Sequence, residues 1–533
     1  MHKEKLQITN TGLEPFRGEW TRATAAHLLR RTTYGPRKDE IDRAYNLGLE
    51  ECLSRLTRAR DAPAPPLSHI AESEPNVRVG QTWVNTGYAN GAGRLRPQSL
   101  SGWYFEWLTE GGLTLQHKLT LFWTNFFGMS RVRDHRANYQ YLKLFQEVGM
   151  VSYREMLSRI TVEPAMLEFL HGDGSDGRRP NEDFAREFLE LFTVGRGESG
   201  EDTNYTPDDV HAFARIFTGW HNHPYVFAHD DSIPIASYFE PEDHDESIKQ
   251  LSHHFNHNLV RNAGEGEYLQ AIKIALNHPE TAPFFCRRLY RFFVHYEIPE
   301  ATERDVIQPL AGILRVNNFR LRPVLTALFG SAHFFDMALR GPMIKNPYDF
   351  LMSIVRPFRG YEHQNPNLVR RYQIGSRYAN YGTELDMRFL SPESVGGWRA
   401  YSMAPQYYRN WISSALMRQR SLRAFNFLST GHNVNNYRII LNMRQFTESL
   451  EQPEIIDGFL DQIILIFLPR QLHPDQVLGL KEQLLQGLPD MEWLRQTIEY
   501  LTEPNNQSVA RTFENRLRRF LNVVFDLPEF QLQ

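Results

Sequence analysis

The stretch that most limits what this chain can become is Asn181-Glu182-Asp183-Phe184-Ala185-Arg186-Glu187-Phe188-Leu189-Glu190-Leu191-Phe192, with Gly195 just beyond it. Pro180 and Asn181 supply a helix start, acidic residues fill the first turn, and Gly195 supplies a stop. At about 100° per residue, Glu182, Asp183, Arg186, Glu187 and Glu190 share one arc, while Phe184, Ala185, Phe188, Leu189, Leu191 and Phe192 fill the other. One half must be core and the other is charge. Arg186 reaches Glu182 and Glu190 at four-residue spacing in both directions, so its charge is shared between two carboxylates.

A core able to take that apolar half is within reach of a chain of 533 residues that is 41% hydrophobic and 13% aromatic. Around the central helix the text is helical almost throughout. Thr21 to Thr33 reads as a capped helix, and Pro36 opens a second that runs to Gly48, where the pattern restarts. Residues 62 to 96, rich in Pro, Gly, Asn and Ser, read as a long connection that is either mobile or a lid. Aromatic-dense helical segments fill Ser99 to Ile160. Thr206-Pro207-Asp208-Asp209 is a capping box with proline at the first helical position, launching a helix to Phe217. Tyr225 to Phe227 and Ile233 to Phe239 are the most strand-like text and predict a small hairpin. Further helices are expected near 265–277, 279–296, 301–316, 322–329, 347–358 and 405–428, with amphipathic helices from Asn433 onward. The expectation is an all-α (mostly α) protein: one large multi-helix domain over 1–430 with a small β-hairpin insertion near 225–240, and a C-terminal helical region, 431–533, packed on it.

Several functional classes drop out. Lys plus Arg (59) nearly balances Asp plus Glu (63), so no global field recruits nucleic acid, and Arg287-Arg288 and Arg516 to Arg519 read as exposed helix faces. Cys52 and Cys286 have no paired spacing, which excludes a disulfide scaffold and a cysteine zinc site and points to a reducing compartment. No apolar run approaches a membrane span, and Met1 to Gln7 leads into polar text without a signal-peptide core. A cytoplasmic protein is expected, with export of a longer precursor left open. Asp173 to Arg179 superficially resembles a calcium loop, but the obligatory glycine position holds Asp176. Gly195-Arg196-Gly197-Glu198-Ser199-Gly200 spells a dinucleotide fingerprint, yet it follows a helix rather than a strand.

A set of motifs spread over nearly the whole chain resembles the domain-of-unknown-function 1800 family, a bacterial group of helical proteins without an agreed activity. The carrying residues are His27-Leu28-Leu29-Arg30-Arg31 with Tyr34-Gly35-Pro36, Leu121-Phe122-Trp123, the central Asn181 to Glu187 with Glu190-Leu191-Phe192, Tyr205, Asp209-Val210, Ala214-Arg215, and Phe217-Thr218-Gly219-Trp220. They continue as His244-Asp245 with Lys249, Ile344-Lys345-Asn346-Pro347, Val395-Gly396-Gly397-Trp398 and Pro528-Glu529-Phe530. The chain departs from that pattern at Thr124 and Phe126, where the family usually has histidines, and at His171, where it usually has an aspartate. If those histidines hold a metal in relatives, that ligand set is lost here. The resemblance also implies a protein partner of alkaline-phosphatase or sulfatase-like fold.

The chemistry these residues suggest centres on Glu187 and Glu190. They could hold a divalent metal, or split into acid and base if Arg186 lowers one pKa and burial raises the other. The bland alternative is a solvated helix face. His221, His223, His229, His244, His253, His254 and His257, among aspartates, make metal-ligand geometry available without any HExxH pattern. His244 with Asp245 could also be a base with its orienting carboxylate. The leading expectation is therefore a site where the central helix, the Thr218-Gly219-Trp220 turn and the His244-Asp245/Lys249 loop converge. Glu187, Glu190, Arg186, His244 and Asp245 are its catalytic candidates, of hydrolytic acid–base type. Asn181, Glu182, Asp209, Arg215, Trp220 and Lys249 would bind a polar or anionic small molecule or a glycan. The competing expectation is a non-catalytic interaction or scaffold protein whose charged helices knit its core.

Overall fold

Thr21 begins the first helix: its side chain accepts from the Thr24 N–H while the Thr24 hydroxyl takes the Thr21 N–H, and Arg22–Thr32 follows. In the computed structural model, which describes residues 12–70, 74, 76–197, 203–358, 367–434 and 437–533, the next helix, Lys38–Leu56, breaks where the pattern restarts. Gly48 there has φ 75°, a left-handed conformation that suits a residue without Cβ. Helix accounts for 59% of the chain and strand for 5%, so the architecture is mostly α. Met1 to Gln7 and Glu198-Ser199-Gly200 lie outside the described residues.

The core is organised around aromatic rings. Phe122, Trp123 and Phe126 of the Gln116–Phe126 helix face Phe285, Phe292 and Phe293 of Thr281–Phe293, with Trp123 stacked on Phe285 at 5.7 Å and Tyr153 on Phe285 at 4.3 Å. Fully burying each such ring contributes on the order of 1.5–3 kcal/mol, and each ring pair adds about 1 kcal/mol. The apolar half of the central helix joins this core through Phe184 and Phe188, which meet Phe217 edge-on at 5.2 and 5.0 Å. Phe217 ends the Pro207–Ile216 helix, whose Thr206–Asp209 capping box is formed in both directions.

Several elements depart from the expected text, each for a physical reason. The connection from 62 is shorter than expected because a helix begins at Ala92, and its described part is clamped rather than open. The Trp83 indole donates to Ser99 Oγ at 2.8 Å, the Trp103 indole to the Ala64 carbonyl at 2.7 Å, and Arg96 binds the buried Glu74. The hairpin pairs Trp220–Asn222 with Ser237–Phe239, so it starts at the tryptophan, and Tyr225 to Phe227 is not strand. Tyr225 is instead drawn into the core, its carbonyl accepting from Arg136 at 2.8 Å, and Phe227 takes φ 58°. Two more small hairpins join Lys249–Gln250 to Leu259–Val260 and His432–Val434 to Tyr437–Ile439. Leu368–Glu384 is a helix the periodicity did not announce, because glycines 375 and 382 interrupt its pattern.

The C-terminal helices share the same core. Ile456–Phe467 packs on the first helix, and Gln507–Asp526 on Ser414–Phe425 and Met443–Glu448. The chain then tucks Phe530 against Phe525 and Phe350. Among the described residues no helix is long and apolar enough to cross a membrane.

Candidate functional site

The central helix is two helices in series. Asn181 caps it, its Oδ1 accepting from the Phe184 N–H at 3.1 Å, and Glu182–Glu187 is α-helical. Phe188–Thr193 then widens into a π-helix, with the Val194 N–H reaching back to Leu189 O at 2.9 Å. The widening breaks the register beyond Glu187. Glu190, inside the widened turn, accepts a hydrogen bond from the Tyr205 hydroxyl at 2.9 Å and stays close enough to Glu187 for the two charges to repel. Glu182, Asp183 and Arg186 are exposed, with Glu182 3.6 Å from Arg186 and 3.2 Å from His211 Nδ1. Glu187 is half-buried, and burial together with the neighbouring Glu190 and Asp183 pushes its carboxyl above the ordinary range, Arg186 pulling the other way.

The second half of the expected site is a buried polar knot. Lys249, on the first strand of its hairpin, has its ammonium 2.6 Å from Oε1 of Glu267, the first residue of the Glu267–Asn277 helix. The other oxygen of Glu267 lies 3.1 Å from His244 Nε2 and accepts from the Ala263 N–H at 3.2 Å. His244 Nδ1 faces the Thr218 carbonyl at 3.0 Å, so both ring nitrogens meet acceptors. Asp245 accepts from Arg215 Nε at 2.7 Å and from the Ser247 N–H at 2.8 Å. Burial raises the Asp245 carboxyl, but these hydrogen bonds outweigh it and leave the group below its usual range. Asp209, fully buried, caps its own helix and accepts from Ser252 N and Oγ at 2.8 and 2.7 Å, tying the hairpin to the helix start. Every charged member of the knot has a partner of opposite charge or a donor. Glu267 was not among the sequence candidates; its only local sign is an acid at a helix start, which is common.

Trp220 packs edge-on against Phe239 and Tyr268 at 5.7 and 5.4 Å. Between it and the central helix lies a cavity of about 10 Å³ lined by Asn181, Phe184, Phe217 and Trp220, which is room for about one water. The histidines do not gather. His221 pairs with Asp243 at 2.9 Å, His229 bonds the Tyr88 carbonyl, and the His253 and His254 rings meet tilted with centroids 4.0 Å apart. Among the described residues no group of three or more His, Cys, Asp or Glu side chains converges as a metal would require. At two of the three departures from the family pattern, Thr124 bonds the Thr120 carbonyl at 2.9 Å and Phe126 is fully buried.

A much larger opening lies where the central helix ends. Gly195, at φ 72°, turns the chain, and Val194 to Gly197 form one wall of an open cleft of about 790 Å³. The facing Thr281–Phe293 helix contributes Phe284, Arg287, Arg288 and Arg291, with Ile298, Glu280, Glu300 and Glu303 completing the lining. Arg287 is neutralised by Glu303, at 2.9 and 2.7 Å, and by Glu280. Among the described residues Arg288 forms no ion pair. It reaches only the Gly396 and Phe126 carbonyls at 3.3 and 3.5 Å and lies over the Phe126 ring. Burial, helped by Arg291, lowers its pKa to about 10. Among the described residues Arg291 forms no ion pair either, Glu303 acting on it only at longer range, and its Nε is buried without a hydrogen bond. The expectation that Arg287-Arg288 would be an exposed face is therefore corrected: both are partly buried in this cleft. Gly396, which accepts from Arg288, belongs to the Gly396-Gly397-Trp398 turn, where Gly397, at φ 94°, lets the Trp398 N–H reach Asn125 Oδ1 at 2.9 Å.

Fold and site together define a helical protein with a buried polar knot around Lys249 and Glu267 and a separate arginine-lined cleft. The chain belongs to the family described as "Protein of unknown function (DUF1800)", whose model matches residues 27–532. No curated protein and no solved structure matches the chain.

Proposed function

We propose that this protein binds a polar, anionic small molecule in the cleft at the end of the central helix, and that the His244, Asp245, Lys249, Asp209 and Arg215 knot is a structural brace rather than a catalytic centre. The observation that carries this reading is that Arg288 and Arg291 line a cleft of about 790 Å³ and that, among the described residues, neither forms an ion pair, Glu303 of the same lining being held by Arg287. Partly desolvated guanidiniums outside any ion pair favour an oxyanion, which each can grip with two parallel N–H donors. Phe284 and Ile298 supply apolar wall for the body of such a ligand, and the volume falls within the usual range of ligand sites.

The test is a calorimetric and thermal-shift titration with citrate as probe. Binding to the wild-type chain that weakens at least about tenfold in Arg291→Gln and in Arg196→Gln, at unchanged melting temperature without ligand, supports the reading. Equal binding by the variants, or none by the wild type, refutes it.

A second reading keeps Glu187 as an acid or base acting on a small molecule or glycan. What favours it is the raised pKa of that half-buried carboxyl, since a general acid works best near the operating pH. Its check is Glu187→Gln: loss of turnover on a candidate glycan without loss of stability supports it, and unchanged turnover removes it.

A further inference from the structure

The helices Ala92–Glu110 and Leu368–Glu384 cross at two glycines. A Cβ on Gly375 would lie 2.3 Å from the Gly102 carbonyl oxygen, and one on Gly102 would lie 2.5 Å from that of Tyr372, so the two backbones touch. One side of that contact opens as a groove of about 360 Å³. Each helix gives it one polar stripe at i, i+4, i+7 spacing: Arg94, Gln98 and Ser101 from the first, Ser376, Asn380 and Thr383 from the second. Arg131 and Arg388 stand at its end with the Phe389 ring.

The chemistry of this lining is one-sided. Three guanidiniums line the groove and no carboxylate does. Among the described residues the side chains of Arg94, Arg131 and Arg388 form no ion pair, and the amides of Gln98 and Asn380 form no hydrogen bond. Arg131 and Arg388 lie close enough to repel one another. Like charges gathered on one side of a groove without a counter-ion make a field that attracts an anion.

We propose that this groove is a binding site for a phosphorylated sugar or polyol. The arginines would take the phosphate through paired N–H donors, the amides and hydroxyls of the two stripes would hydrogen-bond the sugar hydroxyls, and Phe389 would cover an apolar sugar face. The volume suits a single sugar ring with its phosphate. The groove shares no lining residue with the cleft at Arg288, and the inference does not rest on the function proposed there.

Calorimetry on the full chain with glucose 6-phosphate, glucose and inorganic phosphate tests it. Glucose 6-phosphate should bind at least about tenfold more tightly than inorganic phosphate and about a hundredfold more tightly than glucose. Arg131→Gln combined with Arg388→Gln should abolish that binding, Asn380→Ala should weaken it severalfold, and Arg291→Gln should leave it unchanged. If the double arginine variant fails to fold, Asn380→Ala and Gln98→Ala, both solvent-facing changes, carry the decision. No saturable binding at millimolar sugar phosphate overturns the proposal. So does equal affinity for inorganic phosphate, or binding that is indifferent to these substitutions but lost in Arg291→Gln.

Discussion

The ammonium of Lys249 lies 2.6 Å from Oε1 of Glu267, and neither side chain has any surface in contact with water. Burying two charges is costly, and the pair persists because His244 and the Ala263 N–H satisfy the remaining oxygen of Glu267. Removing one partner strands the other. Lys249→Met is expected to destabilise the fold by about 3–5 kcal/mol, whereas Lys249→Met with Glu267→Leu should recover a large part of that loss. Urea unfolding of the three proteins measures it. A single variant as stable as the wild type would contradict the bracing role.

Stability should have a maximum near pH 6.5. Burial pushes the Glu163 carboxyl up to about 8 from 4.5, so the folded chain keeps a proton that the unfolded chain releases between those values. Stability from this group falls as pH rises through that window, by about 1.4 kcal/mol per unit. Burial pushes histidines the other way, His117 to about 3 and His69, His135 and His278 to about 4, against 6.5. Below pH 6.5 the unfolded chain takes up protons that these four refuse when folded, so stability falls as pH falls, and four groups outweigh one. Glu163→Gln keeps an oxygen to cap Met166 and should flatten the profile between pH 6.5 and 8 while steepening the fall between pH 6.5 and 4.5, where the Glu163 carboxyl opposes the histidines. Melting temperature against pH for both proteins is the measurement.

Asp209 serves two elements at once, capping its own helix and holding Ser252 of the neighbouring hairpin. Asp209→Ala should cost about 2–4 kcal/mol, the sum of a lost cap and two stranded donors. Thr206→Ala, which loses only its half of the capping box, should cost about 1 kcal/mol. Denaturant midpoints separate the two, and equal losses would mean that the hairpin contact contributes nothing.

Two glycines give a paired test of helix packing. Gly375→Ala should destabilise by about 1–3 kcal/mol because the helix backbones already touch there. Gly312→Ala, inside Gln308–Val316 with nothing within 4 Å of the added carbon, should stabilise by about 0.5–1 kcal/mol. Thermal melts of both decide it.

Much of this framework was legible in the sequence where the chemistry is local. The caps at Thr21, Asn181 and Thr206 and the break at Gly48 depend on residues within one turn of each other, and spacing reveals them. What spacing could not reveal depends on partners brought in by the fold. Glu267 reads as an ordinary helix start until Lys249 and His244 arrive from another loop. The π turn at Phe188–Thr193 uses the same residue types as an α turn, so spacing does not reveal it. Arg288 and Arg291 sit on a helix that looks amphipathic, and only the chain turning at Gly195 makes one side of it a cleft.

The most direct measurement is a citrate titration of three proteins side by side: the wild type, Arg196→Gln with Arg291→Gln, and Glu187→Gln with Glu190→Gln. If the ligand enters the arginine cleft, the arginine variant loses affinity by at least about a hundredfold, two contacts at about 1.4 kcal/mol each, while the glutamate variant binds as the wild type does. Unchanged binding in the arginine variant with loss in the glutamate variant would put the site on the acidic face of the central helix instead.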